Sequence, residues 1–180
     1  SGHITAIGFE LYCQILAEEV QRLQGDPQEG MTYPSVTPTP LLDLPVSAYI
    51  PEQYVGPQGT RIGLYRRLAD ASTVPHIEAL HSELQDRFGP LPEPVKDLLF
   101  VARIRVLATS ARVKSITCVG NDIVLLPTKI GALATGLNLG PAVRVGNEQV
   151  RINTTRTGGK WRPLLEMLLR NADADANAPR

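Results

Sequence analysis

This 180-residue sequence has little of what usually announces chemistry. Its two cysteines, Cys13 and Cys118, stand far apart and form neither a CxxC pair nor a zinc-type set with His3, His76 and His81. That disfavours a disulfide scaffold or a structural zinc module; both thiols read as small, buried or half-buried hydrophobes. Neither sign of charge dominates: 18 Lys+Arg balance 18 Asp+Glu, for a formal net charge of +0. A freestanding nucleic-acid binder, whose affinity comes mainly from phosphate neutralisation, is disfavoured, although a local basic patch is not. No apolar run reaches the length of a membrane span and no charged-then-apolar leader opens the chain, so the expected compartment is the cytoplasm. The motifs GxSxG, HExxH and GxxxxGK[ST] are all missing.

The near-misses are few. Gly56-Pro57-Gln58-Gly59-Thr60 has no lysine to reach a phosphate. Thr157-Gly158-Gly159-Lys160 precedes a helix and could hold an anion on its N–H groups, but Trp161 stands where a Mg²⁺-binding hydroxyl would be needed. It reads as a turn between strand and helix. His76 and His81 lie five residues apart on a helix, a spacing that splays two metal ligands. The expectation is no catalytic residue, no metal and no cofactor in this chain.

What is present is strong punctuation. Apolar content of 43% with 20% charged residues describes a globular domain, here one domain with an N-terminal arm. The stretch from Arg61 to Leu99 organises it. Thr73 is a candidate N-cap, and Pro75 falls in the first turn, where a missing N–H costs nothing. Ile77, Leu80, Leu84 and Phe88 then form one helical stripe. Gly89 is the residue able to take a left-handed C′ conformation, and Pro90, Pro92 and Pro94 forbid continuation.

Around this corner the chain reads in order. Residues 1–25 form a helical arm with Phe9, Tyr12, Leu16 and Val20 on its apolar face. Residues 26–40 are a Pro/Thr-rich linker. Leu41–Val46 is a short strand that Pro45 confines to an edge or an end. A helix over about 59–71 turns Ile62, Tyr65, Leu68 and Ala69 inward. A third core helix over about 93–111 carries Val95, Leu98, Leu99, Ala102 and Val106. Two hairpins follow, around Gly120-Asn121 and Gly146-Asn147, each followed by a helix, at about 128–139 and 160–171. The offset of 26 residues between the turns suggests an internal ββα duplication, but shared turn chemistry is the simpler reading because the rest does not align. Residues 172–180 form a disordered tail and 41–171 the α+β domain. The fold class is therefore α+β: a helical N-terminal half (arm helix, then three packed helices), followed by ββαββα with a small, mostly antiparallel sheet.

Two surfaces stand out. Basic residues Arg61, Arg66, Arg67, Lys96, Arg103, Arg105, Arg112 and Lys114 lie on or just after the first and third core helices, the usual place for arginine on a solvated helix face. On the second core helix, Ala79, Ser82, Glu83 and Asp86 share a face away from the apolar stripe. Glu83 and Asp86 are i, i+3 neighbours, with no cation between them on that face. Such a pair can accept arginines from a partner.

SGHITAIGFELYCQIL, RIGLYRRLADA and ELQDRFGPLPEPVKDLLFVARIR resemble the C-terminal region of the bacterial transcription-repair coupling factors. The opening without methionine, running quickly into a helix, agrees with a segment that leaves a translocase motor. The resemblance implies a parent that is an ATP-driven, helicase-like translocase on double-stranded DNA. Such a parent displaces stalled RNA polymerase and recruits nucleotide excision repair, with ATP and magnesium held by its motor. In that family the C-terminal domain masks the domain that binds the A subunit of the excision nuclease, which is autoinhibition. The family's acidic pair falls on Glu83 and Asp86, with Ala79 and Ser82 beside them. A DNA-binding accessory role for the basic helices is the alternative.

Overall fold

The computed structural model describes residues 39–128, 133 and 140–176. These fall into two compact units. Residues 46–100 form one; residues 39–45 and those from Val101 onward form the other. The stretch 41–171, read above as one domain, thus divides in two.

In the first unit, an extended segment leads into helix α1 (Gln58–Asp70), helix α2 (Val74–Phe88) and the start of helix α3 (Glu93–Ser110). Val46, Ala48 and Ile50 alternate inward along that segment. Its backbone is held by three hydrogen bonds. Ser47 N–H donates to Asp97 Oδ2 (3.1 Å), Tyr49 N–H to Pro94 O (3.2 Å) and Ile50 N–H to Tyr65 Oη (2.7 Å). Asp97 is itself buried. Periodicity alone did not mark it, because a single carboxylate on a helix reads as a solvated residue.

The corner forms where the punctuation puts it. Thr73 has extended backbone at the N-cap, although its hydroxyl makes no capping bond. Ile77, Leu80 and Leu84 are buried, and Phe88 is half-buried against Tyr54, with ring centroids 5.8 Å apart. Gly89 has φ +84°, as expected, but its ψ of −162° lies outside the left-handed helical well. The chain thus leaves α2 through a conformation that a Cβ would strain. Pro92 O accepts from Val95 and Lys96 N–H and starts α3. The α1 face differs from the expected one: Leu64, Tyr65 and Leu68 are buried while Ile62 and Ala69 are half-buried. The buried arc is rotated because Leu64, one residue before Tyr65, is the side chain that packs.

The second unit is built on a five-stranded sheet of order β1-β2-β3-β5-β4: β1 (Leu41–Asp43), β2 (Val113–Val119), β3 (Asp122–Pro127), β4 (Val143–Val145) and β5 (Val150–Asn153). β1 runs parallel to β2 at the edge; every other pairing is antiparallel. Ile116, Ile123, Leu125, Val150 and Ile152 share one face and are fully buried. Helix α4 (Trp161–Ala176) lies against β5 and buries Leu165, Leu168, Leu169 and Ala172. It runs past the end expected at 171, because Ala172 continues the stripe one turn beyond Leu168. Of the helix expected at 128–139, only Thr128, which is not helical, and Leu133, which is helical and buried, belong to the described residues.

The two hairpins differ in their turns. Val119 pairs with Asp122 across a two-residue loop, with Gly120 at φ +60°, as the first central position of a II′ turn requires. Val145 pairs with Val150 across four residues, closed by Gly146 N–H on Gln149 O (2.9 Å). Their common Gly-Asn therefore does not reflect a common turn.

Candidate functional site

α2 presents the acidic surface. With Ile77, Leu80 and Leu84 facing the core, 100° per residue turns Ala79, Ser82 and Asp86 outward, and all three are exposed. Ser82 Oγ donates to Glu78 O (3.1 Å), spending its proton on its own helix. Glu83 stands at the margin, its side chain 29% exposed.

Glu83 is already engaged, which corrects the expectation of a face without a cation. Arg67, from α1, makes a two-point bond: Nη1 donates to Oε1 (2.9 Å) and Nη2 to Oε2 (2.6 Å). Arg87, one turn further along α2, donates Nη1 to Oε1 (2.8 Å). The hydrogen bonds from these two guanidiniums, Arg67 first, hold the Glu83 carboxyl down from 4.5 to about 2. The same bond raises Arg67 further. The sequence pattern missed Arg67 because it arrives from another helix, and Arg87 because it flanks the acidic face.

Asp86 makes no ion pair among the described residues and is exposed. Arg87 also lies over the Phe88 ring at 5.1 Å, and Tyr54 Oη is 3.0 Å from both Leu84 O and Gly89 O. The α2 C-terminus is therefore pinned, and Glu83 and Asp86 sit on a rigid support. Phe9, Tyr12, Leu16 and Val20, expected to face a motor, lie outside the described residues.

The basic helices are less free than their sequence suggests. Arg61 Nη1 donates to Val55 O (2.7 Å) and Gly56 O (2.6 Å), which closes the loop into α1. Lys96 pairs with Glu93 at 2.6 Å, and Arg103 lies 3.8 Å from Glu166. Arg67 is spent on Glu83. Around Gly158-Gly159, the N–H groups of Thr157, Gly158 and Lys160 donate to Asn153, Thr155 and Thr157 carbonyls, and both glycines have positive φ. The segment is a turn.

Among the described residues no group of three or more His, Cys, Asp or Glu side chains is placed to hold a metal ion, and no helix is long and apolar enough to cross a membrane. Cys118 is half-buried; burial, then the charges of Asp43 and Asp122, push its thiol pKa up. A raised pKa makes a thiol less reactive.

Fold and surface together define an α+β domain whose exposed chemistry is a supported carboxylate pair on a helix. Residues 44–129 match the family model described as the TRCF domain. The chain is 32% identical over 169 residues to a transcription-repair-coupling factor from Mycobacterium bovis, covering 90% of this chain and 12% of that protein. It is 31% identical over 178 residues to one from Staphylococcus epidermidis, covering 94% and 15%. A crystal structure of the C-terminal domain of transcription-repair coupling factor superposes with a TM-score of 0.63 at 20% identity, over 77% of this chain and 93% of that one. The chain belongs to the transcription-repair coupling factor family. It spans roughly an eighth of the length of the relatives it matches.

Proposed function

We propose that this chain is the regulatory C-terminal domain of a longer transcription-repair coupling factor. It docks onto the domain that binds the A subunit of the excision nuclease and masks it. The parent would be an ATP-driven translocase that acts on double-stranded DNA, displaces stalled RNA polymerase and recruits excision repair in the cytoplasm. ATP and magnesium belong to its motor, and this domain turns over nothing.

The observation that carries the reading is Asp86: an exposed carboxylate with no ion pair among the described residues, one turn from Glu83 on a pinned helix. Ala79 and Ser82 beside them are small and exposed, which lets another surface come close. Arginines of the masked domain are the natural complement. Individual exposed pairs contribute only about 0–1 kcal/mol, but a tethered domain docks at high effective concentration, so a modest interface holds. Such a contact opens when the motor changes conformation and shifts the equilibrium. The arm would report that change: Phe9→Asp with Leu16→Asp should alter the regulation of ATP hydrolysis by the parent.

The test uses the full-length parent. Glu83→Lys with Asp86→Lys should increase capture of purified excision-nuclease A subunit on beads. Unchanged capture rejects masking through this face. The alternative of DNA binding by the basic helices is weakened by the commitments of Arg61, Lys96 and Arg103 to partners within the chain. Salt-dependent retention of duplex DNA by the 180-residue chain would revive it.

A further inference from the structure

A carboxylate offers about four acceptor positions. Arg67 takes two of those on Glu83 and Arg87 a third. An arginine arriving from outside and seeking the two-point bond that guanidinium and carboxylate geometry favours therefore finds about one position open. Arg87 holds by one bond from the same helix. Arg67 reaches over from α1 and occupies the two-point approach. The Arg67 side chain is 52% exposed, so its guanidinium can swing into water at small cost.

We infer that Arg67 is a resident competitor: in the undocked domain it fills the two-point bond on Glu83 that a guanidinium of the masked surface takes on docking, and it thereby sets how tightly the mask holds. The inference rests on the docking reading above. Its physical content is an exchange. One arginine–carboxylate pair is traded for another of the same kind, so Glu83 contributes little net free energy to docking, and undocking leaves no bare carboxylate behind. Asp86, without such a stand-in among the described residues, contributes its pair in full. A mask built this way stays close to balance, which suits an element that has to open.

Competition and mere support have opposite signs. In the full-length parent, Asp86→Asn removes an acceptor that has no stand-in and should raise capture of the purified A subunit, whereas Glu83→Gln removes the resident pair and the docked pair together and should change capture little. Arg67→Gln removes the competitor and should lower capture by about fivefold, the scale of one exposed pair. Arg67→Lys keeps the charge but cannot make the two-point bond, and should move capture in the same direction by less. Thermal melts of the 180-residue chain show whether each variant is folded. Capture that rises with Arg67→Gln and Arg67→Lys would mean that Arg67 only positions Glu83, and unchanged capture would mean that no exchange takes place; either overturns the inference while leaving masking intact. If Asp86→Asn also leaves capture unchanged, the docking reading fails and this inference fails with it.

Discussion

Tyr65 shows how much one side chain carries in the helical unit. Its ring is buried on α1, and its hydroxyl accepts the N–H of Ile50, itself buried, from the segment that precedes the helix. Tyr65→Phe keeps the ring and strands that N–H away from water, at a cost of about 1–3 kcal/mol. Urea unfolding of the 180-residue chain, wild type against variant, measures it. Glu83 carries the acid sensitivity. Its carboxyl lies at about 2 in the folded chain against an ordinary 4.5. A lowered folded value means stability that is present above about 4.5 and is lost as the pH falls through about 2. Stability should decline over that window, less steeply in Glu83→Gln and at high salt, where the half-exposed arginines are screened. A denaturant series from pH 5 to about 2 checks the slope; equal slopes in wild type and Glu83→Gln would remove Glu83 from the account.

At the scale of elements, most boundaries were legible because their causes are local. Gly89 with Pro90 and Pro92 ends α2, and Gly120-Asn121 closes the first hairpin; both operate over a few residues, so a linear reading finds them. Elements were misjudged where the deciding partner lay elsewhere. The inward arc of α1 depends on which of Ile62 and Leu64 meets the core, and both fit a helical stripe. The end of α4 depends on Ala172 finding a buried place, which composition does not reveal. The end of α3, expected near 111 from the change of period, falls at Ser110, but without the usual glycine. Arg112 has φ +53° where a glycine would ordinarily stop the helix, and its carbonyl accepts both the N–H and the hydroxyl of Thr128. Left-handed backbone costs a residue with a Cβ about 1–2 kcal/mol, part of which glycine returns through its freer unfolded chain. Arg112→Gly should therefore stabilise the chain, by about 0.5–1 kcal/mol, seen as a higher urea midpoint with unchanged slope.

Over the whole chain, stability and the proposed docking are separable because the docking face is not the packing face. Asp86 is exposed and makes no ion pair among the described residues, so Asp86→Lys should change the unfolding free energy of the 180-residue chain by less than about 0.5 kcal/mol. The same substitution in the parent should raise capture of the A subunit. A large loss of stability would mean that Asp86 has a structural partner. The candidate site was half legible. Helical geometry placed Ala79, Ser82, Glu83 and Asp86 on one face, since a 3.6-residue repeat is fixed once the stripe is known. It said nothing of Arg67, sixteen residues away along the chain, whose guanidinium changes Glu83 from an open acceptor into a shared one.

Among the described residues, the amino-acid order was enough to settle which segments become helices and strands, the corner after Phe88, the first hairpin and the α+β class, because periodicity, caps and turn residues act through neighbours in the chain. Folding in three dimensions decided the rest. It placed β1 parallel to β2 at the sheet edge, divided residues 41–171 between two units, buried Asp97 and brought Arg67 to Glu83. Each of these joins residues distant in sequence, and the free energy that selects such a pairing comes from burial and charge geometry that exist only once the elements have packed.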